Sequence, residues 1–149
     1  MQMIGEGIEL AGRESLSIQE VVQQLVKSRK SEQKRIPGLG HRIHTEDPRT
    51  RVLFDMALEV GLASRGIAFM QALEKEVAEQ IRPLPVNIDG ALAAVLYDLG
   101  FPPEAGKLIF IIGRVAGLTA QVLEEFTREK PMRVKIPVTY DGLPPEESR

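Results

Sequence analysis

The sequence contains no cysteine, which excludes a disulfide framework and a thiolate metal site and agrees with a cytoplasmic address. It has no basic block. Its 19 Lys and Arg and 21 Asp and Glu leave a formal net charge of -2 and are spread along the chain, so there is no electrostatic footprint for a nucleic-acid partner. The first residues, Met1-Gln2-Met3-Ile4-Gly5-Glu6, show no basic stretch followed by an apolar one and do not read as a secretory signal. The longest apolar run, Leu108 to Ile112, is far shorter than the ~20 residues of a membrane span, so a soluble protein is expected. No internal repeat and no low-complexity linker divides the chain. What is present is 149 residues, 43% of them hydrophobic, enough to bury the core of one ordinary domain.

Strict alternation of apolar and polar residues is almost absent, whereas helical spacing recurs, so the expected class is all-α. Ser17 and Glu20 form a capping box ahead of a helix that runs from Ile18 to about Ser31, with Ile18, Val21, Val22, Leu25 and Val26 on one face. The basic stretch from Lys27 to Arg35 reads as a solvated face. Ile36-Pro37-Gly38-Leu39-Gly40 cannot continue a helix cheaply and predicts a shaped loop. Asp47-Pro48 starts the next helix, with Val52, Leu53, Met56, Ala57 and Val60 on its buried side and Gly61 as its stop. Ile67, Met70, Leu73, Val77 and Ile81 mark another, and the two are expected to pair antiparallel. Asn87 caps a helix that Gly100 ends, placing Asp89 in its first turn. Pro102-Pro103-Glu104 opens the last helix, whose segment Leu108 to Leu118 is apolar nearly all round except at Arg114, a pattern that predicts burial on most sides. From Pro131 the chain reads as extended, with an acidic, proline-rich tail. The expected organisation is a helical domain over 1–130 and an arm over 131–149.

Three residues carry potential chemistry: His41 directly after the glycine loop, Asp89 at a helix start, and Arg114 inside an apolar helix. Each also has a structural reading, as a hydrogen-bonded loop histidine, an acid at the positive end of a helix dipole, or a member of a structural ion pair. Singly, none of them defines a function.

In order along the chain, Gly38-Leu39-Gly40-His41-Arg42 with Asp47-Pro48-Arg49, then Pro85-Val86-Asn87-Ile88-Asp89-Gly90, then Ile112-Gly113-Arg114-Val115-Ala116-Gly117-Leu118 closely resemble three motifs of citrate synthases: the catalytic histidine loop, the catalytic aspartate helix and the buried arginine helix. The stretch Arg42 to Arg49, in which His44 and Thr45 stand where housekeeping citrate synthases carry an aromatic residue and a lysine, looks more like citryl-CoA lyases. The resemblance implies the fold of the small domain, a multi-helix orthogonal bundle, and the making or cleaving of the carbon-carbon bond between an acetyl-CoA unit and oxaloacetate. It implies His41 as donor to the ketone or citryl oxygen and Asp89 as the base, which suits a reaction needing proton removal from a weakly acidic methyl group. It implies Arg49, Arg114 and Arg133 (or Lys135) as carboxylate ligands, a task for a planar fork of donors. Coenzyme A would rest on Pro37, Gly38, Leu39 and Gly40, and no metal is implied.

The family's further catalytic histidine, in an HGGA-like helix, and the large domain around it have no counterpart in this sequence, whose only histidines are His41 and His44. The resemblance therefore implies either an incomplete catalytic module, completed by association with a large domain or with further copies of the chain, or a non-catalytic module binding CoA or carboxylates.

Overall fold

The structure is a computed structural model, and it describes residues 1–128. Six helices follow one another, α1 (Gln2–Glu14), α2 (Ile18–Ser31), α3 (Pro48–Glu59), α4 (Arg65–Gln80), α5 (Ile88–Asp98) and α6 (Pro103–Arg128), and no strand occurs among the described residues, so the protein is all-α as expected. The arm over 131–149, with Arg133 and Lys135, lies outside the described residues. Residues Met1–Ile112 form one compact unit and a second begins at Gly113.

The first unit is built around α4, which packs against α1, α2 and α5. Its Phe69, Met70, Leu73 and Val77 are fully buried, and they meet Ile4 and Ile8 of α1, Val22 and Val26 of α2, and Ala91 and Ala94 of α5 in one core. Local signals start and stop the helices. The capping box of α2 has both reciprocal bonds, Glu20 N to Ser17 Oγ at 3.2 Å and Ser17 N to Glu20 Oε2 at 2.8 Å. Asp47 caps α3 with proline at its first position, and Asn87 caps α5.

Two expectations are corrected. The main partner of α3 is α5, not α4, and its buried residues are Phe54 and Ala57, while Val52, Met56 and Val60 are exposed. This helix is apolar on several sides, so periodicity alone does not select a face; the bond that Asp47 accepts from Ile88 N and the one that Thr50 donates to Val86 O, just before α5, select it. The segment from Leu108 to Leu118, expected to be buried, is exposed apart from the half-buried Ile109 and Phe110, and no residue of α6 is buried. By length and composition α6 is also apolar enough to cross a bilayer, with mean hydropathy 1.4 over its most apolar window. Arg114 stands inside that segment, and a charge at the centre of a membrane helix costs about 2.5–3.5 kcal/mol or more.

Candidate active site

The glycine loop and the start of α5 are laced together. Gly38 and Gly40 both have positive φ, 86° and 85°, a backbone region open to glycine and strained for other residues. The two turns bring Leu39 into an isolated antiparallel bridge with Val86. Gly40 N donates to Pro85 O at 2.7 Å and Asn87 N donates to Gly38 O at 3.1 Å. Asn87 completes the lacing with its side chain: Nδ2 donates to Gly40 O at 2.9 Å, while Oδ1 accepts from the amides of Asp89 and Gly90 at 3.0 and 3.1 Å. One residue thus holds the loop before His41 and caps the helix that presents Asp89.

The ring of His41 is oriented by the backbone after it. Its Nδ1 accepts from Ile43 N at 3.1 Å and from His44 N at 3.0 Å. An Nδ1 that serves as acceptor assigns the ring proton to Nε2, so the outer edge of the imidazole is a donor. The ring of His44 lies against it, with centroids 4.6 Å apart and planes inclined by 36°.

Asp47 organises the other side. Only 1% exposed, it accepts from Arg49 Nε at 3.0 Å, Arg49 Nη2 at 2.8 Å, and the backbone amides of Arg49 and Ile88, both at 3.1 Å. The Arg49 side-chain bonds, helped by these amides and opposed by burial, hold its carboxyl down at about 2, against an ordinary 3.8. Arg49 is pushed up by the same bonds, with the negative charge of Asp89 adding to the effect. Asp47 occupies the side-on face of the guanidinium, Nε with Nη2. The end-on face, Nη1 with the second hydrogen of Nη2, still offers two parallel donors, on a side chain 50% exposed.

The residues expected to act together are therefore brought together in part. His41, Asp89, Arg49 and the Pro37–Gly40 loop all belong to the first unit, but His41 and Asp89 line different clefts, with the loop as the wall between them. Asp89 lines an apolar cleft of about 410 Å³ with Leu92, Pro103 and Phe110, and one of about 460 Å³ with Pro37, Gly38 and Met70. His41 lines a cleft of about 500 Å³ with Leu39, Gly40 and Asn87, rimmed by Lys34, Arg35, Arg42 and Arg82. Arg114 lies on α6 in the second unit, and Arg133 is outside the described residues. The basic rim escaped the sequence reading, which took the run from Lys27 to Arg35 as solvated. Part of that run is structural, since Lys30 Nζ donates to Gln80 O at 2.6 Å, yet its last two cations face the cleft. No local pattern joins them to Arg82.

The profile of the family described as citrate synthase, C-terminal domain, matches residues 1–135. The chain is 29% identical over 103 residues to a citrate synthase of Haloferax volcanii, covering 66% of this chain and 27% of that protein. It is also 29% identical over 117 residues to 2-methylcitrate synthase 1 of Corynebacterium glutamicum, covering 76% of this chain and 30% of the other. The solved citryl-CoA lyase of Hydrogenobacter thermophilus superposes with a TM-score of 0.74 and 36% identity over 98% of this chain and 58% of the lyase. The chain spans under a third of these two curated relatives and somewhat over half of the lyase.

Proposed function

The chain belongs to the citrate synthase family, and on that premise we propose that it supplies the catalytic-loop half of a site that makes or cleaves the bond between the acetyl unit of acetyl-CoA and oxaloacetate, through citryl-CoA or citrate. The observation that carries this reading is the lacing of two motifs into one frame by Asn87, with a donor edge on His41 and a carboxylate on Asp89. In condensation Asp89 takes a proton from the methyl carbon of the thioester, and the carbanion so formed attacks the ketone carbon while His41 Nε2–H stabilises the oxygen that gains charge. In cleavage the citryl hydroxyl gives up its proton on the His41 side as it becomes the ketone, the carbon-carbon bond breaks, and a protonated Asp89 passes its proton to the acetyl carbon. Arg49, through its end-on face, receives a carboxylate of the 2-oxo acid or of citrate, and Arg114 and Arg133 are assigned the same task. The cleft beside Ile36 to Gly40 has an apolar floor and four cations, which suits the adenine and phosphates of coenzyme A.

The separate clefts of His41 and Asp89 favour completion by a further surface. We assign that surface to the exposed face of α6 and to either a large domain or a second copy of the chain. The same observations support a second reading, a non-catalytic module that binds coenzyme A or carboxylates. Calorimetry with coenzyme A and with citrate, beside assays of condensation and cleavage on the protein in its native assembly, separates the two. Saturable binding with turnover in either direction supports the enzyme, binding without turnover supports the module, and no binding of either ligand refutes both.

A further inference from the structure

Val86 is the pivot of the frame, and its own peptide groups face away from the glycine loop. Residues on either side of it, Pro85 and Asn87, bond to Gly40 and Gly38, so the N–H and C=O of Val86 point to the opposite edge. At 2% exposure these two groups have little water to turn to, and an unpaired buried amide or carbonyl costs as much as a lost hydrogen bond. Two side chains meet them. Glu74 Oε1, from the middle of α4, accepts from Val86 N at 2.7 Å, and Thr50 Oγ1, from the first turn of α3, donates to Val86 O at 2.9 Å. The short segment before α5 is therefore bonded along both edges, to the loop that leads to His41 on one side and to the core helix α4 on the other.

We propose that Glu74 is a positioning residue for Asp89, acting with Thr50 through the peptide groups of Val86. The inference rests on the reading of Asp89 as the proton-transferring group. Glu74 borders neither of the two clefts described above that Asp89 lines, so it works at a distance: α4 is anchored in the core, Glu74 fixes Val86 to α4, and the next residues, Asn87 to Asp89, start α5 from that fixed point. A carboxylate is a strong acceptor for a backbone amide, and it sets the direction of the segment where an apolar contact would allow it to slide. Supporting groups of this kind decide whether a catalytic side chain is held within the tolerance that chemistry needs.

Three variants test it. Glu74→Ala removes the acceptor, Glu74→Gln keeps an oxygen at the same reach without the charge, and Thr50→Val removes the opposite bond with little change of shape, giving a second reading should Glu74→Ala not fold. In the full chain, amide exchange at Val86 is expected to accelerate about tenfold or more in Glu74→Ala. The resonances of Ile88 to Gly90 and of the Asp89 carboxyl carbon are expected to move with it, and Glu74→Gln to restore them. In the native assembly kcat is expected to fall about tenfold or more with KM within about threefold, again with rescue by Glu74→Gln. Unchanged Val86 exchange and an unmoved Asp89 resonance in Glu74→Ala and Thr50→Val would overturn the proposal. So would a Glu74→Gln protein as impaired as Glu74→Ala. If the parent protein shows neither condensation nor cleavage, the enzymatic reading fails by itself, and exchange and resonance still decide the role of Glu74.

Discussion

The carbonyl oxygen of Gly38 lies 2.3 Å from the point where a Cβ on Gly90 would stand, and the Cα of Gly90 lies 2.9 Å from the corresponding point on Gly38. Backbone meets backbone at this spot, so the room for a methyl group cannot come from a rotamer change. Gly90→Ala is expected to push the loop away from α5. A destabilisation of about 1–3 kcal/mol, in the range of overpacked sites, should appear as a lower urea midpoint, together with shifted amide resonances at Gly40 and His41. An unchanged midpoint and spectrum would show that the contact is looser than described.

Asp89→Asn keeps the size of the side chain and removes its capacity to take or return a proton. In the native assembly turnover is expected to drop by about 10²–10⁴-fold, the usual contribution of a positioned acid or base, with the affinities for coenzyme A and citrate nearly unchanged. Turnover within a few-fold of the parent would reduce Asp89 to an acid at a helix start, whose loss costs about 0.3–1 kcal/mol of stability.

Asp47 links stability to pH. Its folded carboxyl is held down to about 2 from an ordinary 3.8, so the unfolded chain binds the proton more readily and the stabilisation is complete above about pH 4. It is lost as pH falls from about 4 to about 2. Arg49, the main partner, is half exposed to water, which reduces the effect to the order of 1–2 kcal/mol. Asp47→Asn should flatten this part of the stability curve in urea titrations at pH 2 to 5. Parallel curves for parent and variant would remove Asp47 from the account of acid unfolding.

The first turn of α4 depends on a residue from the far end of α5. Asp98 accepts from the backbone amides of Ser64 at 3.1 Å, Gly66 at 2.7 Å and Ile67 at 3.2 Å, while the Ser64 side chain makes no capping bond. Asp98→Ala leaves these donors without that acceptor and is expected to cost about 1–2 kcal/mol, as for a lost helix cap, measurable as a lower Tm. A loss below about 0.3 kcal/mol would mean that water replaces the carboxylate.

Association should follow from α6. Leu118, Leu123 and Phe126 are exposed on it, and exposed apolar surface of this kind marks an interaction site. Sedimentation of the chain alone is expected to show self-association that weakens in Leu118→Glu and Leu123→Glu. A monomer across a wide concentration range in the parent would remove α6 as a contact surface.

Caps and stops were legible in the sequence because their causes are local. Ser17 with Glu20, Asp47 before Pro48, and Asn87 before Asp89 satisfy amides within three residues, and Gly61 and Gly100 take the positive φ of chain reversal, 69° and 78°. The motifs around His41 and Asp89 were legible as words. The bonds that join the words were not, because Glu74 to Val86 and Asp98 to Gly66 are side chain to backbone contacts across whole helices, with no periodic trace. Facing was the other loss: α3 is apolar on several sides, so its rotation is decided by Asp47 and Thr50. For α6 the apolar pattern states that a cover is needed and is silent on what covers it.

The bond from Asn87 to Gly40 joins residues 47 apart in sequence, with α3 and α4 looped out between them. Closing such a loop costs entropy before any contact returns it, and pairings of this range form late and slowly. The frame is thus a product of the whole fold, absent from any early hairpin of α4 and α5. During refolding, helical signal should rise before His41 and Asp89 acquire their native environments.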